Sequence, residues 1–222
     1  YVAFADDDEN GAATVMKYEN SNWMVVGEYG FSAGEVFDIT IEINSTGVPY
    51  VAFSDDEASE KLTVMKYDGT GWVVVGSPGF SDDEADFISL TFWDIEGLID
   101  IPIVAYKDIG NGGGLTVKTF IEGPDFWFTL GDEDFTGDEV WFTSLAFSPS
   151  GDIYVAFIDD EFGEVSVASF DWEDEEWFPV GGPNISGESW FTSLAISPDG
   201  DPYVAFCDDE ENGDGKVTVM GL

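Results

Sequence analysis

The groups with most capacity for chemistry in this 222-residue chain are carboxylates gathered in short runs. Asp6-Asp7-Asp8-Glu9, Asp55-Asp56-Glu57, Asp159-Asp160-Glu161 and Asp208-Asp209-Glu210-Glu211 each close an apolar stretch, and Asp108 stands alone in the corresponding place. Three kinds of chemistry suit such runs. An Asp at the end of a strand can cap the turn by bonding its own backbone, with the other acids serving solubility. Several carboxylates and carbonyls from one loop can hold Ca²⁺ or a similar hard cation. On that reading the ligands are Asp6, Asp8, Asp55, Glu57, Asp159, Glu161, Asp208 and Glu210, although the spacing differs from the EF-hand loop. Thirdly, with no His and no Arg in the chain, acid–base catalysis falls to carboxylates, as in a paired Asp/Glu glycosidase. Because the acids recur in step and none stands out, this third reading ranks last and no catalytic residue is assigned.

Two tryptophans join the candidates. Trp141 and Trp190 lie beside Glu139 and Glu188, and an aromatic face with a neighbouring acid can hold a sugar, so both are candidate sugar contacts. Asn44 and Asn184 head N-x-S/T triplets and permit N-glycosylation if the chain is exported.

The elements that must position these groups repeat. Tyr50-Val51-Ala52-Phe53 recurs as Tyr1 to Phe4, Ile103 to Tyr106, Tyr154 to Phe157 and Tyr203 to Phe206, about every fifty residues. Around it the same apolar segments recur in order, bounded by Gly, Pro, Asn or Asp, as short strands joined by turns. Strand A is exemplified by Phe191 to Ile196, strand B by the YVAF element, strand C by Thr63 to Tyr67, and strand D by Trp72 to Gly76. Four antiparallel strands per repeat predict an all-β fold, a β-propeller of about five blades in one domain over 1–222. The repeats run approximately 1–36, 37–86, 87–140, 141–189 and 190–222. Counting strands, the first blade lacks A and the last lacks D.

YVAF does not alternate apolar with polar, which suits a strand buried on both faces between neighbouring blades. Trp23, Trp72, Trp127 and Trp177 open the D strands and read as inter-blade packing. The B–C and D–A loops share one face of a propeller, and more than half of the 47 acids fall in them.

Composition excludes several partners. Against the 47 acids stand six basic residues, all Lys, for a net charge of −41, so polyphosphate is repelled and nucleic acid is excluded. Self-repulsion within a Debye length of about 8 Å makes counter-cations expected partners. No run of 18 apolar residues exists, so no membrane span is expected. Cys207 is the sole cysteine and forms no intrachain disulfide. The chain begins without Met or signal peptide, and we expect a mature or partial product.

The motifs W-x-x-V-G at Trp72 to Gly76, G-F-S-x-G-E at Gly30 to Glu35, S-L-A through Y-V-A-F-x-D-D at Ser193 to Asp209, and V-M-K-Y-D-G within Thr63 to Gly69 cover most of the chain as they recur. Together they resemble bacterial and archaeal extracellular repeat propellers, related in pattern to kelch-type and NHL-type repeats. The resemblance implies a propeller at the cell surface. The expectation is a non-enzymatic extracellular structural or adhesive module. It would bind cations, Ca²⁺ foremost, and assemble with copies of itself into a filament or surface array through its incomplete end blades. The alternatives are a carbohydrate-binding propeller lectin and a carboxylate-based glycoside hydrolase.

Overall fold

The computed structural model describes residues 1–95, 99–161, 163–182, 185–208 and 215–222. Glu210 and Asn184, named above, lie outside the described residues. Five antiparallel sheets follow one another along the chain. Blade 1 holds β1 (Val2–Asp6), β2 (Ala12–Glu19) and β3 (Asn22–Val25). Blade 2 holds β4 (Val36–Ile43), β5 (Pro49–Asp55), β6 (Lys61–Tyr67) and β7 (Trp72–Val74). Blade 3 holds β8 (Ala85–Ile95), β9 (Ile99–Asp108), β10 (Gly114–Ile121) and β11 (Phe126–Thr129). Blade 4 holds β12 (Val140–Phe147), β13 (Ile153–Asp159), β14 (Glu164–Asp171) and β15 (Glu176–Pro179). Blade 5 holds β16 (Ser189–Ile196), β17 (Pro202–Asp208) and β18 (Lys216–Gly221). This is the predicted propeller, with three-stranded first and last blades.

Strand B is packed from both sides, as its lost alternation foretold. In β5, Val51 and Phe53 enter a core shared with Ala13 and Val15 of blade 1. Tyr50 and Ala52 point the other way, into a core with Val104 and Tyr106 of blade 3. Burying a side chain such as Phe53, fully inaccessible here, contributes about 1.5–3 kcal/mol. Similar cores join blades 3 and 4 and blades 4 and 5.

The D-strand tryptophans of blades 2, 3 and 4 lock each of these to the blade before, whereas Trp23 of blade 1 is exposed. Trp72 Nε1 donates to the Val26 carbonyl at 2.8 Å, Trp127 to Val75 at 3.0 Å, and Trp177 to Leu130 at 2.8 Å. Their rings stack on Phe31, Phe80 and Phe135 with centroids 4.3, 4.3 and 5.0 Å apart. The inner strands are tied by hydroxyls. Ser89 Oγ of β8 accepts from Leu145 N of β12, and Ser144 Oγ of β12 accepts from Leu194 N of β16, both at 2.9 Å.

A second tie fixes the acidic loops. In blade 2, the Gly79 amide donates to Thr63 Oγ1 at 2.8 Å, and Thr63 donates to Asp55 Oδ2 at 2.9 Å. The same relay joins Gly30, Thr14 and Asp6 in blade 1 and Asp134, Thr116 and Asp108 in blade 3. It links the D–A loop to the end of strand B, which places both sets of loops on one face.

Candidate functional site

The inner strands converge at the acidic face. Residues 38–40 of β4, 87–88 of β8, 142–143 of β12 and 191–192 of β16 line one axial depression of about 290 Å³. Each of these strands shifts register near its start. The bulged residue sits in the left-handed region: Asp38 at φ 46°, Phe87 at 49°, Phe142 at 52° and Phe191 at 56°. An aromatic residue there is uncommon and costs roughly 1–3 kcal/mol. The bulge turns side chains toward the axis. Phe87, Phe142 and Phe191 form an arc with ring centroids 5.0 and 4.5 Å apart, and Phe191 is 65% exposed. Thr143 Oγ1 donates to the Phe87 carbonyl and Thr192 Oγ1 to the Phe142 carbonyl, which fixes the spacing of the arc.

Two acids break this pattern. Aligned along the inner strands, Asp38 of β4 stands where the other blades carry Phe87, Phe142 and Phe191. Asp86 of β8 stands where they carry Phe37, Trp141 and Trp190. The two lie close together: Asp38 Oδ2 accepts from the Phe87 amide at 2.8 Å. Burial and then the Asp38 charge push the Asp86 carboxyl above the usual range, with Lys107 opposing. Nearby, a hydrogen bond with Glu60 raises the Glu84 carboxyl. Reading the acids as uniformly repeated therefore needs correction. The signal lies in the strand-A alignment and not in the loops.

Lys107 is the third departure. Residues aligned with it are Ala5, Ser54, Ile158 and Cys207. Its stem is buried, and its ammonium lies 3.2 Å from Glu139 Oε2 and 3.7 Å from the centroid of the Trp141 ring. Trp141 Nε1 also donates to Asp160 Oδ1 at 2.8 Å, so this tryptophan is committed to the protein. Trp190 is 50% exposed. Both line a cavity of about 550 Å³ between blades 4 and 5, with Phe142, Asp160, Glu161 and Glu188.

The acids assigned to cation binding divide into two groups. Asp6 and Asp55 accept from the strand-C threonines, and Asp6 and Asp159 cap their turns through the amides of Asp8 and Glu161 at 3.2 and 3.0 Å. Asp8, Glu57 and Glu161 are exposed, and Asp208 is half-buried beside Lys216 in register. Among the described residues no three His, Cys, Asp or Glu side chains group to hold a metal ion. Asn44 Oδ1 closes the β4–β5 turn by accepting from Val48 N at 2.8 Å and from both Thr46 donors. Among the described residues no helix is long and apolar enough to cross a membrane.

The sequence matches no known family pattern and no curated protein. Its fold is similar to several solved structures. An endo-1,4-β-xylanase from Bacteroides thetaiotaomicron is 14% identical over 95% of this chain and 86% of that one, with a TM-score of 0.52. A mutant Aleuria aurantia lectin in complex with Fucα1-6GlcNAc is 14% identical over 96% and 68%, with a TM-score of 0.56. The intramolecular trans-sialidase from Ruminococcus gnavus is 13% identical over 95% and 50%, with a TM-score of 0.57. At such identities the likeness is one of fold. It corrects the expectation of a non-enzymatic module, because the propellers that resemble this one include glycoside hydrolases. The link to kelch-type and NHL-type repeats rests on the quoted motifs.

Proposed function

We propose that the protein is an extracellular carbohydrate-recognising propeller whose ligand docks at the mouth of the axial depression and against Trp190. The observation that carries this is the aromatic arc. Phe191 ends the arc at the axial depression, and Phe142 and Trp190 line the adjoining cavity with Glu188 and Asp160. Sugars combine an apolar C–H face with a rim of hydroxyls, so a ring stacked on an aromatic and bonded to a carboxylate uses both groups. The lectin among the similar structures supports the reading. The test is a glycan array followed by titration calorimetry of wild-type protein, Trp190→Ala and Phe191→Ala. Loss of at least tenfold in affinity in both variants, with the fold retained, is expected. No glycan bound by the wild-type chain, or equal affinity in all three proteins, would overturn it.

A second reading, hydrolysis of the bound glycan, is favoured by the Asp38–Asp86 pair. Asp86, its carboxyl raised by burial and by Asp38, is suited to protonate the leaving oxygen of a glycosidic bond. Asp38 is exposed and steadied by the Phe87 amide. It would then activate a water or attack the anomeric carbon. Release of reducing sugar that disappears in Asp86→Asn, with glycan binding intact, is the expected result. Turnover unchanged in Asp86→Asn excludes this pair.

A further inference from the structure

Blade 3 departs from its neighbours at a second place, the head of its loop relay. At the head of the loop relay, blades 1 and 2 carry Gly30 and Gly79 in the left-handed region, at φ 56° and 60°. Blade 3 carries Asp134, at φ 52°. A β-carbon on Gly30 would lie 2.7 Å from Glu9 Cβ, and one on Gly79 would lie 2.7 Å from Ala58 Cβ, so neither position has room for a side chain. Blade 3 makes the room elsewhere. Where blades 1 and 2 have Ala12 and Lys61, blade 3 has Gly114, and Asp134 Oδ1 lies 1.4 Å from the point a Gly114 Cβ would occupy. The aspartate and the missing β-carbon are two halves of one change.

Gly114 is the register partner of Asp108, whose side chain is fully buried. Asp108 Oδ2 accepts from Thr116 Oγ1 at 3.3 Å and Asn111 Nδ2 at 3.0 Å. Its Oδ1 is buried without a partner, and so is Asp134 Oδ1. A third such oxygen is the hydroxyl of Tyr106, which stands where the other blades have Phe4, Phe53, Phe157 and Phe206. Blade 2 offers the control: Asp55 Oδ1 is also unpartnered, but across from it lies Gly79 and no second acid.

Unpaired buried oxygens cost stability, and two carboxylates in one recess cost more. The surrounding charges do not relieve this. Lys118 is the nearby cation, but its ammonium is engaged by Glu133 Oε1 at 2.6 Å and Thr129 Oγ1 at 3.1 Å. Asp138, Glu133 and Asp82 add negative charge around the recess. Burial, ahead of any neighbouring charge, pushes both the Asp108 and the Asp134 carboxyls up.

We propose that blade 3 binds a single hard divalent cation of the Ca²⁺ kind between the carboxylates of Asp108 and Asp134. Two carboxylates supply the charge, and backbone carbonyls and water complete the roughly six to eight oxygens that Ca²⁺ takes. The site falls in the blade whose Lys107-Asp108-Ile109-Gly110 replaces the acidic run found in the others. Its specificity comes from burial rather than from the number of acids nearby.

The test is calorimetry and thermal melting of the whole chain with CaCl₂ against chelator, in excess NaCl so that the −41 surface is screened. One equivalent of Ca²⁺ is expected, with a Tm rise of about 5–10 °C at a concentration a hundredfold above Kd. Asp134→Gly restores the residue of blades 1 and 2 and is expected to fold and to lose the response. Asp134→Asn keeps the side-chain volume and is expected to weaken it at least tenfold, which keeps the test decisive if the glycine variant misfolds. Two results overturn the proposal: no difference between Ca²⁺ and chelator in the wild type, or the same response in the Asp134 variants.

Discussion

Trp127 and Trp23 occupy the same position in their blades and opposite surroundings. Trp127 is 9% exposed, donates to Val75 and is stacked on Phe80. Trp23 is 52% exposed and leans on Tyr18 of its own blade, with ring centroids 5.4 Å apart. The other end of the chain shows the same contrast. Val165 and Val167 of β14 are closed off by blade 5, while the aligned Val217 and Val219 of β18 are 80% and 64% exposed. The repeat writes the same residues each time, and burial is decided by whether a neighbouring blade lies against them. In this fold the core belongs to pairs of blades and not to single sheets.

The comparison is sharpest for the tryptophans. Trp127→Ala removes a buried indole and leaves the Val75 carbonyl without its donor, and is expected to cost about 3–5 kcal/mol. Trp23→Ala is expected to cost less than about 1 kcal/mol. Denaturant unfolding of the two variants checks this, and equal losses would break the comparison. The valines come next. Val167→Ala is expected to cost about 2 kcal/mol and Val219→Ala to lie within about 0.5 kcal/mol of the parent.

The smallest effect concerns charge wedged between blades. Asp86, Asp108 and Asp134 all have carboxyls raised, first by burial. The folded state therefore holds protons that the unfolded chain would release. Stability is gained as pH falls through these raised values and is complete below the ordinary carboxylate value of about 4. Glu133, lowered by its bond to Lys118, works in the opposite sense. Melting in chelator across this range is expected to show a net rise on mild acidification, smaller in Asp134→Gly. A Tm that falls throughout would contradict it.

Much of the architecture was legible in the sequence because it is written several times over. The buried strand B announced itself by lacking alternation, and the D-strand tryptophans by their fixed place before V-G. The rest is written once. The departure at Lys107-Asp108-Ile109-Gly110 shows in the sequence, but Asp38, Asp86, Tyr106 and Asp134 matter only by differing from their aligned counterparts, and recurrence carries no signal for a residue found in a single blade. The strand-A bulge was hidden for another reason. Phe87, Phe142 and Phe191 look like ordinary strand residues, and only the backbone shows them in left-handed conformation facing the axis.

The four inter-blade cores found among the described residues also set how the molecule opens. Each joins only adjacent blades, so stability approximates a sum over neighbours, as in a linear array. Fraying from either end costs one such core at a time, and protection of amides against exchange with solvent should be greatest in β9 and β10 and decline outward. The irregular third blade, which carries the most unusual chemistry, thus sits where the chain opens last.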